Sequence, residues 1–279
     1  MGSAPPQVDV LLGSCIDDRY ELVELIGRGA RSLVYRADDL QLNRSVTLKL
    51  IPDGRCTADR LERVSRATAS SCPNLVAVFD AGDAAEGAYV VMETLVGTTL
   101  THVLEHEGVS TQMVLRIMAA AADGITAAHR AGLVHSNLVA SNVFLTADHA
   151  VKVLDVGACS VDFCGPSAPG LLEPFDAEPS TFEELGVIAP VPAHTAPARR
   201  NVQSLVRLLE ALLFGPRSHE GTGLAAVPPE LQRGAFATSF EHVTSAAELA
   251  FELARLADAI DERASIASDA PSRPRVSVR

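Results

Sequence analysis

The sequence predicts an α+β chain, with an antiparallel sheet region first and a mainly helical region second, and three observations carry that reading. Up to Gly97, short runs rich in β-branched and apolar residues alternate with Gly, Asp and Asn turn signals. From Leu100 onward the runs lengthen into Ala- and Leu-rich stretches of helical character. The length, 279 residues, suffices for one large domain or two lobes sharing a cleft. Hydrophobic residues make up 47% and charged residues 21%, which supports a packed core and excludes disordered or collagen-like classes.

Taken in order, residues 1–17 contain Pro and read as an irregular N-terminal extension. Residues 20–26, 32–37 and 45–51 form a β-meander, 57–71 turn helical, and 74–79 and 88–93 return to strand character. Five strands and one helix thus fill a first lobe, 18–97. The second lobe, 98–260, is mainly helical, with a strand pair at 143–145 and 151–154 and amphipathic helices at 200–214 and 246–260. Between Gly157 and Arg199 lies a Pro-containing segment long enough to read as a functional or disordered loop. Residues 261–279 hold Ser, Pro and Arg without apolar periodicity and read as a flexible tail.

A net charge of −12 argues against general nucleic-acid binding or polybasic attachment to anionic lipid. No stretch approaches 18 consecutive apolar residues, so this segment inserts no helix directly into a membrane. Five scattered cysteines, Cys15, Cys56, Cys72, Cys159 and Cys164, read as reduced, mostly buried thiols of a cytoplasmic domain. His102, His106 and His194 show no ligand spacing and read as surface residues. The only lysines are Lys49 and Lys152, so any role that needs an ammonium has two candidates.

Gly27-Arg28-Gly29-Ala30-Arg31-Ser32 sits between two strands; alone, it fits a tight hairpin as well as a phosphate loop. Then come Val46-Thr47-Leu48-Lys49, Cys72-Pro73-Asn74, Tyr89-Val90-Val91-Met92-Glu93, the loop from His135 through Asn137 and Val139 to Asn142, and Asp155-Val156-Gly157. In this order and spacing the series, over about residues 18–258, resembles the protein kinase family, most closely the bacterial Ser/Thr kinases of the PknB type. The resemblance implies a two-lobed kinase-like fold, a five-stranded antiparallel sheet plus one helix in the first lobe and a mainly helical second. It also implies a glycine loop at Gly27 and Gly29, a phosphate-binding Lys49, and metal ligands Asn142 and Asp155.

Several positions depart from the family pattern. Asn137 stands where the catalytic Asp is expected and cannot act as a carboxylate base, and Val139 replaces the loop Lys that steadies the phosphoryl group. Ser32 replaces the third glycine. The helix position that normally pairs with the strand Lys is Arg63, with Glu62 about 100° around the helix, so Lys49 is expected to lack a partner. Ala189-Pro190-Val191 replaces the segment-closing A-P-E, and Asn201 replaces a buried Asp, which predicts an unsupported catalytic spine. Asn142 and Asp155 either hold Mg-ATP or bond locally, while His135 reads as a hydrogen-bonding residue of the loop.

These departures predict a chain that is not an enzyme, a pseudokinase with no cofactor, the alternative being a weakly active Ser/Thr kinase or a nucleotide-sensing switch that binds Mg-ATP weakly. The expected role is a regulatory binding module phosphorylated by an active PknB-type kinase, with Thr181, Thr238 and Thr244 as candidate acceptors. A forkhead-associated domain protein such as FhaA would read the phosphate. The Arg-rich, Lys-poor composition and degenerate motifs also resemble the intracellular domain of actinobacterial lipid II flippases of the MviN type. That likeness implies a part in regulating peptidoglycan precursor export.

Overall fold

The computed structural model describes residues 11–29, 32–52, 72–106, 109–135, 137–156, 195–214, 240 and 242–269. The expected helix at 57–71 with Glu62 and Arg63 lies outside the described residues, as do Thr181, Thr238, His194 and Ala189-Pro190-Val191.

The first lobe is an antiparallel sheet of β1 (Cys15–Ile16), β2 (Tyr20–Arg28), β3 (Leu33–Asp39), β4 (Arg44–Ile51), β5 (Val78–Ala84) and β6 (Gly87–Met92), in the order β1-β2-β3-β4-β6-β5. Strand alternation divides its faces. Tyr35 and Ala37 of β3, Val46, Leu48 and Leu50 of β4, and Tyr89 and Val91 of β6 are buried in one cluster, whereas Val34, Lys49 and Val90 turn to the opposite face.

Two differences from the sequence reading concern strand ends. The extension contributes a sixth strand, β1, because Asp17 and Asp18 both adopt positive φ (54° and 51°) and turn Ile16 back beside Tyr20. Asp-Asp is a weaker turn signal than Asn-Gly, yet the turn seats Ile16 fully in the sheet core. At 74–77 the expected strand is a loop docked on the second lobe: Val153 N–H donates to Asn74 C=O at 2.8 Å and Val76 N–H to Val153 C=O at 3.1 Å. Cys15 and Cys72 are free, and Cys15 is exposed rather than buried.

The turn between β1 and β2 is tied by charge to β3 and β5. Arg19 donates from Nε and Nη2 to both oxygens of buried Asp39, each at 2.8 Å, and from Nη1 to Asp80 at 3.1 Å. Tyr20 donates its hydroxyl to the same Asp80 at 2.6 Å. The Arg19 bonds hold the Asp39 carboxyl far below the usual carboxylate range.

The second lobe begins with β7 (Gly97–Thr99) and α1 (Leu100–His106), then α2 (Thr111–Arg130), a 3-10 turn (Ala140–Asn142), β8 (Val143–Thr146), β9 (Val151–Val153), α3 (Ala196–Phe214) and α4 (Ala246–Asp269). Its core forms around α2, whose Leu115, Met118, Ala122 and Ile125 are fully buried at helical spacing. Ser110 caps this helix by accepting the Met113 N–H at 3.2 Å. Gly124 permits close approach, since a Cβ there would stand 2.6 Å from the carbonyl oxygen of Asn74. Helix α4 runs to Asp269, past the expected tail boundary at 261, and Asp261 receives Arg116 Nη2 at 2.7 Å together with Gln112. No helix among the described residues is long and apolar enough to cross a membrane.

Candidate nucleotide and phosphoryl-transfer site

Lys49 sits mid-sheet, paired in register with Val34 of β3 on one side and Val90 of β6 on the other. Gly27 pairs with Val34, and Ala81 with Val90, so Gly27, Val34, Lys49, Val90 and Ala81 form one cross-strand row on the face opposite the sheet core. The row is apolar apart from one ammonium, a surface suited to a flat base next to a phosphate chain. Past β2, the Gly29 N–H donates to Ser32 C=O at 2.8 Å, and a Cβ at Gly29 would meet Ser32 Oγ at 2.8 Å. A side chain at Gly29 would require the Ser32 hydroxyl to turn away.

From the other lobe Asp155 faces this row. Its Oδ2 accepts from Lys49 Nζ at 2.6 Å, with both side chains about one-fifth exposed or less (16% and 20%). The expectation that Lys49 lacks a partner is therefore corrected: the partner is 106 residues away, brought in by the β9 strand that ends at Val153. Asp155 adopts φ +59°, a left-handed conformation that Asp tolerates better than most residues. Leu154 N–H donates to Asn142 C=O at 2.9 Å, which sets Asn142 beside the Asp155 backbone. Asn142 Nδ2 donates to Asn137 C=O at 2.7 Å, leaving its Oδ1 as the available donor atom toward a cation.

The loop carrying Asn137 and Val139, both half-buried, is braced by His135. Its ring accepts the Asn137 N–H at Nδ1 (3.2 Å) and donates from Nε2 to Leu154 C=O at 2.8 Å, so the neutral Nε2–H tautomer is the one the partners require. Burial lowers the His135 pKa, opposed by Asp155.

Asn201 supports the start of this loop. The buried Oδ1 accepts His135 N–H at 3.1 Å and His129 Nε2–H at 2.9 Å, while Nδ2 donates to His135 C=O. An amide, both donor and acceptor, thus holds two helices and the loop together without a buried charge. Burial lowers the His129 pKa, opposed by its bond to Asn201.

Thr244, the described one of the three candidate acceptors, is exposed just before α4, where it donates its hydroxyl to Glu248 at 3.0 Å and its N–H at 2.8 Å. His102 and His106 are exposed and stack with ring centroids 4.2 Å apart. Among the described residues no group of three or more His, Cys, Asp or Glu converges as a metal site. Sequence reasoning missed the flanking Val34, Val90 and Ala81, which strand alternation around Lys49 could have supplied. It also missed the ion pair of Lys152 with Glu93 at 2.6 Å, for which spacing gives no signal.

Residues 20–162, half of the chain, match the family model of the protein kinase domain. The chain belongs to that family. PknB of Mycobacterium tuberculosis is 34% identical over 154 residues, covering 52% of this chain and 25% of that protein. The probable serine/threonine-protein kinase CPE1738 of Clostridium perfringens is 31% identical over 153 residues, covering 53% of this chain and 22% of its own length. PknB of Mycolicibacterium smegmatis is 28% identical over 243 residues, covering 82% of this chain and 36% of that protein. The chain therefore spans well under half the length of these relatives. Its fold is that of the PknI kinase domain of Mycobacterium tuberculosis, with a TM-score of 0.60 at 20% identity over 90% of this chain and 100% of that one.

These comparisons overturn the expectation that the chain is not an enzyme, because the relatives aligned with it are named serine/threonine-protein kinases. The physical reason the sequence reading erred is that it weighted two lost contributions to rate. Asn137 and Val139 supply neither a carboxylate base nor a cation, and that was set above the Lys49–Asp155 pair and the neighbouring Asn142, which the fold brings together.

Proposed function

We propose that the chain binds Mg-ATP between the Lys49 row and Asp155 and transfers the γ-phosphoryl group slowly to a Ser or Thr hydroxyl. The observation that carries the reading is the Lys49 Nζ to Asp155 Oδ2 contact at 2.6 Å, beside Asn142. One carboxylate and one amide oxygen are hard oxygen donors that suit Mg²⁺, an ion that keeps waters and phosphate oxygens as its other ligands. Bound there, the ion supplies neutralisation of charge on the phosphates. Lys49 would turn its ammonium to the same phosphates, and Val34, Val90 and Ala81 would cover the base.

Phosphoryl transfer passes through a loose transition state in which positioning and electrostatics dominate, so the missing base slows the reaction without removing its main support. Asn137 can orient a substrate hydroxyl by hydrogen bonding, but the proton must leave to solvent or to the phosphoryl oxygens. Loss of a general base costs on the order of 10² to 10⁴ in rate. Transfer of labelled γ-phosphate to a Ser/Thr peptide should be slow in the unmodified chain, absent in Asp155→Ala, and about 10²- to 10⁴-fold faster in the double variant Asn137→Asp, Val139→Lys. Incorporation that persists in Asp155→Ala would refute the reading.

The regulatory part of the proposal is phosphorylation by an active PknB-type kinase and capture of the phosphate by a forkhead-associated domain such as that of FhaA. Support comes from the exposed Thr244 ahead of α4, where a phosphate could take over the N–H that Glu248 now accepts. The setting, an intracellular domain of an MviN-type flippase that regulates peptidoglycan precursor export, is supported by composition and motif likeness. Mass spectrometry after treatment with PknB, followed by capture on the forkhead-associated domain, tests this part, and an unmodified chain would refute it.

A further inference from the structure

The chain's second lysine forms an ion pair of its own at the junction of the lobes. Lys152 Nζ lies 2.6 Å from Glu93 Oε1 and 3.4 Å from Leu75 C=O, with side-chain exposures of 18% for Lys152 and 24% for Glu93. Glu93 follows β6 and is fixed in turn, since its Oε1 also accepts the Ala77 N–H at 2.7 Å while its own N–H donates to Ala77 C=O at 2.9 Å. Around them the 74–77 loop docks on β9: Leu75 bridges Val153, and Asn74 Nδ2 donates to Val151 C=O at 3.0 Å.

The two lysine pairs are the ends of one arrangement. On the second-lobe side, Lys152 and Asp155 are three residues apart on the same segment. On the first-lobe side, Glu93 is three residues from Val90, the register partner of Lys49. The paired strands β4 and β6 and segment 152–155 are therefore joined at two points, by Lys49 of β4 with Asp155 and by Glu93 after β6 with Lys152, with the sign of charge reversed between them. About 10 Å of extended chain separates positions three apart, so the Lys152 pair is a second side-chain tie on this segment, added to the backbone bonds of Val153 and Leu154.

We propose that Lys152, through Glu93, is a positioning residue that holds β9 against the end of β6 and so sets Asp155 opposite Lys49. This inference rests on the nucleotide-site reading above only for its consequence in ATP binding; the Lys49–Asp155 alignment itself can be read without nucleotide. Because the chain has just two lysines, ¹³C-lysine labelling gives two assignable side-chain signals. In Lys152→Met the remaining signal is that of Lys49. It should move toward its position in Asp155→Ala, and the isosteric Glu93→Gln should move it the same way. Lys152→Arg, which keeps the charge, should leave it near its original place.

Mg-ATP affinity should fall about tenfold in Lys152→Met and Glu93→Gln, in the range usual for coupling between sites. A merely stabilising pair would lower the melting temperature without moving the Lys49 signal. An unmoved Lys49 signal in both variants, with Asp155→Ala shifting it, overturns the proposal, and so does an Asp155→Ala variant that leaves the signal in place. If the unmodified chain binds no Mg-ATP, the nucleotide reading fails, and the Lys49 signal still decides the positioning role.

Discussion

Replacing Asn201 by Ala removes a side chain that joins α2, α3 and the loop at His135. Three buried polar groups then lose their partner: the His135 N–H, the His135 C=O and the His129 Nε2–H. An unsatisfied buried donor or acceptor costs about 1–3 kcal/mol, so the loss should be about 3 kcal/mol even with each group near the low end. For a domain of this size 1 kcal/mol corresponds to roughly 2–4 °C, which gives a fall in melting temperature of about 6–12 °C. Thermal unfolding followed by circular dichroism measures it. The half-buried Gln112→Ala, which loses the bond to Asp261, serves as the reference and should change little. A fall of less than about 2 °C in Asn201→Ala would refute the bracing role.

Three further outcomes follow from the same geometry. His129 and His135 have folded pKa values lowered below 6.5, so the unfolded chain binds more protons; their contribution to stability is full above pH 6.5 and is lost as pH falls below it, which denaturant titrations from pH 7.5 to 5 will read. Asp39→Asn breaks the buried pair with Arg19 and should cost about 2–3 kcal/mol once the partial exposure of Arg19 is discounted, measured by urea unfolding. Gly124→Ala forces a methyl against the Asn74 carbonyl and should destabilise by about 1–3 kcal/mol, with faster amide exchange at Val153.

Much of the fold is written in local pattern. Alternation in β3, β4 and β6 and the apolar spacing of α2 lead directly to the observed elements, and the order of motifs from Gly27 to Asp155 places the lobes. What stayed hidden depends on long-range partners. The 74–77 stretch has strand composition, but the hydrogen bonds of Asn74 and Val76 go to β9, 77 residues on, and hold it as a loop. Lys49 looked unpartnered because its ion pair closes only once β9 is set against the sheet. Asn201 looked like a loss because an amide in place of a carboxylate removes charge; the geometry instead uses its second function, the donor, on His135 C=O. The extent of α4 was missed because a helix held by Arg116 at Asp261 needs no apolar period there.

The most direct measurement of the central claim is the melting temperature of the purified chain titrated with ATP, with and without Mg²⁺. Ligand at about 100 times its Kd stabilises by about 2.7 kcal/mol, which for a domain of this size is roughly 5–10 °C. The account predicts a saturable, Mg-dependent rise that is absent in both Lys49→Met and Asp155→Ala. No rise up to millimolar ATP, or a rise of equal size in both variants, would contradict it.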